Sequence, residues 1–123
     1  MHPDAPLFFS AAPEALPLYD AFEAALLRCI PATNIRVQKT QITFSGRRVY
    51  GCVSHPRAKA QRGGLLVTFG LGRPLEENPR VIYRSEPYPN RFTHYVLLQD
   101  ESGLDEELMA WLQEAYEFSE SKR

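Results

Sequence analysis

Arg91 and His94, two side chains able to do chemistry, lie at the start of an apolar segment near the C-terminus. They belong to EPYPNRFTHYVLLQ, residues 86 to 99, in which a turn-rich lead-in precedes the alternating pattern of a β-strand. An arginine can bind a phosphate or carboxylate through two parallel hydrogen bonds, and a histidine can orient a ligand or transfer a proton. This pair is therefore the first candidate for a site.

Three further polar residues fall at the ends of predicted strands. Lys39 and Gln41 lie where the apolar alternation of residues 35–37 passes into the opposite phase of residues 42–44. A bulge or a tight turn must reset the register there, and bulges often re-aim side chains near functional sites. Arg73 follows the apolar run 65–71, which predicts a central strand. The predicted ligand-binding residues are Lys39, Gln41, Arg73, Arg91 and His94.

Each candidate also has a structural interpretation. His94 shares the phase of Phe92, Val96 and Leu98, so it points toward the core and could be a packed histidine bonded to the backbone. Lys39 could be a strand-end lysine whose stem covers apolar surface. Arg91 could pair with Glu86. These readings stay open beside the ligand site.

The charge distribution is uneven along the chain. Residues 36–91 contain eleven Lys or Arg and three acids, whereas the flanking segments are acidic and the whole chain has a net charge of −1. A basic sheet region could attract a phosphate, nucleotide, nucleic acid or acidic partner, or it could be neutralised by the acidic helices beside it. Interleaved tyrosines would suit a base, but they are also ordinary strand residues.

Motifs for other chemistry are weak. The three histidines and two cysteines are scattered, so we expect no metal site and no cofactor. Gly70 and Gly72 lack the third glycine and following helix of a dinucleotide fingerprint and are interpreted as a turn. An enzyme would use His94 as acid–base, with Lys39 or Arg91 polarising an oxyanion.

Cysteine usage and hydropathy predict a reducing, cytoplasmic setting. Cys29 and Cys52 have no motif spacing and are interpreted as reduced, with a disulfide between them as the alternative. We expect no signal peptide, because the N-terminus has no basic start and only a three-residue apolar run. No stretch is long enough to predict a membrane span.

The order of elements predicts the fold class. Apolar residues at spacings of three and four predict a helix from Pro17 to Ile30 and another after Asp105, with Ser102 resembling a capping box. Strands between them follow one another without helical crossovers. We therefore predict an α+β fold: a mostly antiparallel sheet of about five strands, with an N-terminal and a C-terminal helix on one face. Residues 1–12 are predicted to be a flexible arm and residues 13–123 a single domain.

Four stretches together resemble a known family. They are KTQITF (39–44), LLVTFGLGR (65–73), EPYPNRFTH (86–94) and ELMAWLQEAYE (107–117). In this order and spacing, from about Leu18 to Glu117, they resemble the family called domain of unknown function 5655. The resemblance implies a small bacterial α+β domain and implies no activity.

The sequence thus predicts a small non-catalytic domain that binds an anionic ligand in a basic polar pocket. A nucleic acid partner has weaker support, and no membrane partner is expected. The second interpretation is an interaction or homodimerisation domain, which would use an exposed sheet face. That face would contain Tyr50, Leu66, Tyr95 and Leu97. The third is the enzyme described above.

Overall fold

Consecutive segments of alternating apolar residues pair as neighbouring strands, and the connections between them are loops rather than crossover helices. A computed structural model of the chain describes residues 1–122. Its strands are β1 (Asn34–Val37), β2 (Ile42–Ser45), β3 (Val49–Ser54), β4 (Leu65–Leu71), β5 (Val81–Tyr88) and β6 (Arg91–Leu98). Its α-helices are α1 (Ala5–Phe8), α2 (Leu16–Cys29) and α3 (Glu106–Glu120).

The strands form one antiparallel sheet in the order β1-β2-β3-β4-β6-β5. The last strand in sequence therefore lies between β4 and β5, and the chain crosses over β6 on its way from β4 to β5. The predicted α+β class with an antiparallel sheet is confirmed, and the sheet has six strands.

Both long helices pack on one face of this sheet, which we call the inner face. Phe44 and Phe69 lie in the same cross-strand row, with Gly51 between them. Phe22 of α2 lies 5.7 Å from the Phe44 ring, and Trp111 of α3 lies 6.1 Å from the Phe69 ring, between centroids. The buried rings and aliphatic side chains between these layers form the core.

The register reset predicted at residues 38–41 is a tight turn. Val37 pairs with Ile42, and the N–H of Gln38 donates to the carbonyl of Gln41 at 2.9 Å. Lys39 and Thr40 form the exposed tip of this hairpin. Because the turn reverses the chain, the apolar residues of β1 and β2 point to the same face of the sheet, although they fall in opposite phases of the sequence.

The turn-rich lead-in to β6 forms the end of β5 and a tight hairpin turn. Tyr88 pairs with Arg91 across the two residues Pro89 and Asn90, and Asn90 has a φ of 66°. Asparagine tolerates this left-handed conformation better than most residues do. The pairing of β5 with β6 is irregular at two places, between Val81 and Tyr83 and between Ser85 and Tyr88.

The first twelve residues differ from the predicted arm. Ala5 is fully buried and Phe9 is 1% exposed, and Phe9 lies 5.2 Å from the ring of Tyr19. The Phe8 ring stacks on His55 at 4.5 Å with an interplanar angle of 10°. The short apolar run supplies the aromatic rings of Phe8 and Phe9 to the core. At the other end, residue 123 of the predicted domain lies outside the described residues.

The start of α3 also differs in detail. Asp105 is its N-cap and accepts a hydrogen bond from the N–H of Leu108 at 3.0 Å. Ser102 instead belongs to a short 3₁₀ turn, whose N-cap Asp100 accepts its N–H at 2.9 Å. The cap is one short turn later than predicted because two acidic residues cap consecutive turns. Cys29 and Cys52 are both free thiols.

Candidate ligand-binding groove

His94 is a core residue that fastens a loop. Its ring is fully buried and stacks on Phe69 at 5.5 Å. Its Nε2 atom accepts a hydrogen bond from the N–H of Leu75 at 3.0 Å, so the neutral ring carries its proton on Nδ1. Burial and the positive charge of Arg84 lower the pKa of His94 below its ordinary 6.5. The neutral form is therefore favoured, as its role as acceptor requires.

Arg73 is committed to an ion pair with α3. Its Nε and Nη2 atoms donate to the two carboxylate oxygens of Glu114 at 2.9 and 2.8 Å. The hydrogen bonds to this carboxylate raise the pKa of Arg73 above its ordinary value. The two parallel hydrogen bonds that Arg73 was expected to offer a ligand are therefore made to Glu114.

Arg91 lies on the face of the sheet opposite the helices, across Gly70. A Cβ atom on Gly70 would lie 2.5 Å from the Arg91 guanidinium, so the absent side chain makes room for it. Arg91 has no ion-pair partner within residues 1–122, and the predicted pairing with Glu86 is not formed.

Lys39 and Gln41 lie at the opposite end of the sheet from Arg91. Gln41 is one residue beyond the row that contains Ile42 and Val96, and Arg91 is five residues beyond it on the other side. The two are separated by about 20 Å along the strands and by three strand spacings across them. Gln41 Nε2 donates to Thr43 Oγ1 at 3.1 Å and so serves the hairpin.

The five predicted residues therefore do not form one pocket. The alternating pattern of β6 places His94 on the core face, but the sequence does not contain the strand order that separates Lys39 from Arg91. The structure instead has a groove of 480 Å³ on the face opposite the helices, and none of the five predicted residues lines this groove. The groove is lined by Pro56, Arg57, Ala58, Gln61, Leu66, Ile82, Tyr83 and Tyr95.

This open face has a defined row of side chains. In cross-strand order the row is Arg36, Thr43, Cys52, Thr68, Tyr95 and Tyr83. Hydroxyl and thiol groups occupy its centre, and the two tyrosines close one end with ring centroids 5.3 Å apart. Tyr83 is 60% exposed and the neighbouring Ile82 is 53% exposed. Aromatic and aliphatic surface is thus concentrated at the β5 end of the face.

The second wall of the groove is the loop between β3 and β4. Backbone hydrogen bonds hold this loop in a 3₁₀ turn at Lys59–Gln61, including Gln61 N–H to Ala58 O at 3.0 Å. Arg57 is the only charged residue lining the groove, and no hydrogen bond or ion pair engages it among the described residues. The groove therefore combines an aromatic wall with one uncompensated positive charge.

The sequence contained part of this signal. The segment HPRAKAQR, residues 55–62, is basic, and Tyr83 and Tyr95 belong to the basic region already noted. The sequence did not show that the 55–62 loop and β5 flank the same groove, because β4 and the connection after it separate them along the chain. Tyr50 was also expected to lie on an exposed sheet face. Tyr50 is instead 1% exposed, and its ring lies 5.6 Å from the ring of Tyr116 in α3.

Comparison with known families identifies the domain. The family described as Domain of unknown function (DUF5655) matches residues 6–119. The chain belongs to this family. The match begins before α2 and so includes the N-terminal segment that packs into the core. Neither the curated proteins nor the solved structures contain a match to this DUF5655 domain.

Residues 1–122 of this DUF5655 domain contain neither a membrane-spanning helix nor a cluster of metal ligands. None of its helices there combines the length and the apolar character needed to cross a membrane. No group of three or more His, Cys, Asp or Glu side chains in that range is arranged to hold a metal ion.

Proposed function

We propose that this domain binds a small anionic ligand that contains a planar ring, and that the ring lies in the groove between the 55–64 loop and β5. The observation that carries the proposal is the pairing of an aromatic wall, Tyr83 and Tyr95, with the unpaired Arg57 in one groove. The proposal keeps the anionic ligand expected from the sequence and moves its site.

The shape of the groove suits a ligand of this size. Small-molecule sites are typically clefts of about 300 to 1,000 Å³ with mainly apolar walls and a few polar groups, and the groove has 480 Å³. Leu66 and Ile82 supply aliphatic surface beside the tyrosines. A flat ring gains contact with a tyrosine face without needing a specific hydrogen-bond pattern.

The charge of the open face supports an anion. Of the eleven basic residues between positions 36 and 91, Arg62, Arg73 and Arg80 form ion pairs within the described residues. The row across the open face has no acidic residue, and Arg36 and Arg57 contribute positive charge to it or beside it. A guanidinium can bind a phosphate or carboxylate bidentately, and the interaction weakens as salt rises.

Nucleotides and a planar carboxylate test this proposal directly. Binding of AMP, GMP, CMP, UMP and indole-3-acetate would be measured by thermal shift and calorimetry, with inorganic phosphate as the ring-free probe. A ligand that binds only the folded state raises the melting temperature as its concentration exceeds the dissociation constant. We expect a ring-containing anion to bind and inorganic phosphate to bind more weakly.

The structure offers a matched pair of variants for the same experiment. Tyr83 and Tyr88 are both exposed tyrosines of β5, at 60% and 52%, but only Tyr83 lines the groove. Tyr83→Ala should weaken binding about tenfold or more, in line with the stacking energy of a base, whereas Tyr88→Ala should not. Equal effects of the two substitutions, or no binding by any ring-containing probe, would overturn the proposal.

Self-association is the second candidate, and one observation favours it. Ile82 and Tyr83 place two large exposed apolar side chains beside Leu66 and Tyr95 on the open face. A second copy could cover this surface. Sedimentation velocity would show a dimer that Tyr83→Ala dissociates, and that result, without ligand binding, would replace the ligand proposal with this one.

A further inference from the structure

We infer that the ligand carries two or more phosphate groups in series beyond its ring. Its terminal phosphates would lie on the basic loop His55–Arg62. This inference rests on the proposed groove. It adds the class of ligand: a nucleoside polyphosphate, or the 5′-phosphorylated end of an oligonucleotide, which presents the same ring and phosphate chemistry.

A second depression lies directly behind the groove. It has a volume of 250 Å³ and is lined by Ala11, Ala12, His55, Pro56, Arg57, Ala58, Lys59 and Arg62. The three consecutive residues Pro56, Arg57 and Ala58 line both depressions and form the ridge between them. Arg57 is thus placed at the junction, with the aromatic groove on one side and the basic depression on the other.

The two depressions both have mainly apolar walls and differ in the number of cationic residues that line them. The groove contains two tyrosines and one cation, whereas the second depression contains Arg57, Lys59 and Arg62 and no acidic lining residue. The Glu14 carboxylate lies outside the lining and pairs with Arg62 at 3.3 Å, which offsets one of the three charges. The Lys59 ammonium group forms no hydrogen bond or ion pair within the described residues, although its backbone carbonyl accepts from the N–H of Arg62 at 3.2 Å. Two uncompensated cations therefore remain beside the ridge.

Internal hydrogen bonds hold the basic depression in place. Arg62 Nη2 donates to the carbonyl of Ala11, and the N–H of Gly64 donates to Gln61 at 2.8 Å, so both the cation and the loop are fixed. His55 Nε2 donates to the carbonyl of Phe8 at 3.1 Å while its ring stacks on Phe8. A preorganised loop loses less conformational entropy on binding than a flexible one does.

A ligand that fits both depressions must carry its negative charge at one end of a ring. With the ring against Tyr83, the first phosphate would meet Arg57 and later phosphates would reach Lys59. Each added phosphate gains charge-assisted hydrogen bonds to these groups. Affinity should therefore depend on phosphate number, which a site confined to the groove does not predict.

The test is a titration series of adenosine, AMP, ADP and ATP at constant ionic strength and without divalent metal. The inference expects ATP to bind at least about tenfold more tightly than AMP. Lys59→Ala should remove most of that difference, whereas Arg48→Ala, which deletes an equal charge in the β2–β3 turn, should preserve it. The trinucleotide ApApA with and without a 5′-phosphate forms the second arm.

The outcomes separate this inference from the groove proposal. Equal affinities of AMP and ATP, with Tyr83→Ala still abolishing binding, would overturn the inference and leave the groove. Equal losses from Lys59→Ala and Arg48→Ala would overturn it too, because the effect would then be general charge. Failure of every nucleotide to bind would overturn the inference, and the groove proposal would fall with it only if indole-3-acetate also failed to bind. Tighter binding of the phosphorylated trinucleotide than of ATP would support it and assign an oligonucleotide end as the source.

Discussion

Leu75 is held at both ends of its backbone unit by side chains from neighbouring strands. Its N–H donates to Nε2 of His94 at 3.0 Å, and its carbonyl accepts from Nη1 of Arg84 at 2.7 Å. His94 and Arg84 pair across β6 and β5. Together they attach the long β4–β5 connection to the sheet at a point where no strand hydrogen bonds are available.

Replacing His94 should therefore cost stability rather than a surface activity. His94→Ala would leave the Leu75 N–H unpaired in the core and open a cavity beside Phe69. We expect the free energy of unfolding to fall by about 2 to 4 kcal/mol. Urea denaturation would measure this, with Thr93→Ala on the opposite face as the control. A loss below 0.5 kcal/mol, about the size of a surface substitution, would contradict the assignment.

The same hydrogen bond makes stability depend on pH. Folding lowers the pKa of His94, so between that lowered value and about 6.5 the unfolded chain binds more protons. The contribution is fully present above about pH 6.5 and is lost as the pH falls through the folded pKa. Arg84 on β5, Arg73 after β4 and Glu114 on α3 all affect this titration.

Comparison of the native chain with His94→Gln isolates the effect of this histidine from the other two. Glutamine can offer an oxygen near the position of Nε2, and it does not titrate. We expect the stability difference between the two proteins to shrink as the pH falls from 7 toward 4. Parallel stability curves over this range would show that His94 does not titrate with folding.

Arg80 should matter more than Arg73, although both form ion pairs with acidic residues. Nη1 of Arg80 donates to Asp105 at 2.9 Å and to Glu107 at 3.1 Å, and Nη2 donates to the carbonyl of Gly103 at 2.6 Å. Its guanidinium also lies 5.5 Å from the Trp111 ring centroid.

The matched substitutions are Arg80→Ala and Arg73→Ala. The Arg80 side chain is 21% exposed and the Arg73 side chain is 55% exposed, so solvent screens the Arg73–Glu114 pair more strongly. We expect losses of about 1 to 3 kcal/mol for Arg80→Ala and at most about 1 kcal/mol for Arg73→Ala. Thermal unfolding in low and high salt would measure both, and equal losses would contradict the distinction.

Two glycines of the sheet, Gly51 and Gly70, should differ in how much stability is lost when each is replaced by alanine. A Cβ atom on Gly51 would lie 2.9 Å from the backbone carbonyl oxygen of Thr68, on the face against which α3 packs. A Cβ atom on Gly70 would meet the Arg91 guanidinium, which is the mobile end of a long side chain. Gly51→Ala should cost about 1 to 3 kcal/mol and Gly70→Ala under about 1 kcal/mol, as measured by chemical denaturation. The reverse order would contradict the close approach at Gly51.

Periodicity predicted the class of fold because each strand and helix has an apolar pattern of its own period. The same reasoning placed His94 on the core side and required either a bulge or a tight turn near Lys39. Strand order was not accessible in this way, since β6 is inserted between β4 and β5 by contacts between residues far apart in sequence. The groove escaped prediction for a related reason: Ile82 sits at an irregularity in the β5–β6 pairing, which the alternating pattern does not reveal.

The irregular β5 also limits how this sheet can grow. An edge strand with regular, unpaired N–H and C=O groups is a template for adding further strands from other chains. Here the two interruptions in pairing bend the edge, and Pro87 has no N–H to offer. At the opposite edge, β1 is four residues long. Neither border of the sheet gives a long uninterrupted template, so edge-to-edge polymerisation into fibrils should be slow, and copies of the domain that do meet should meet through faces.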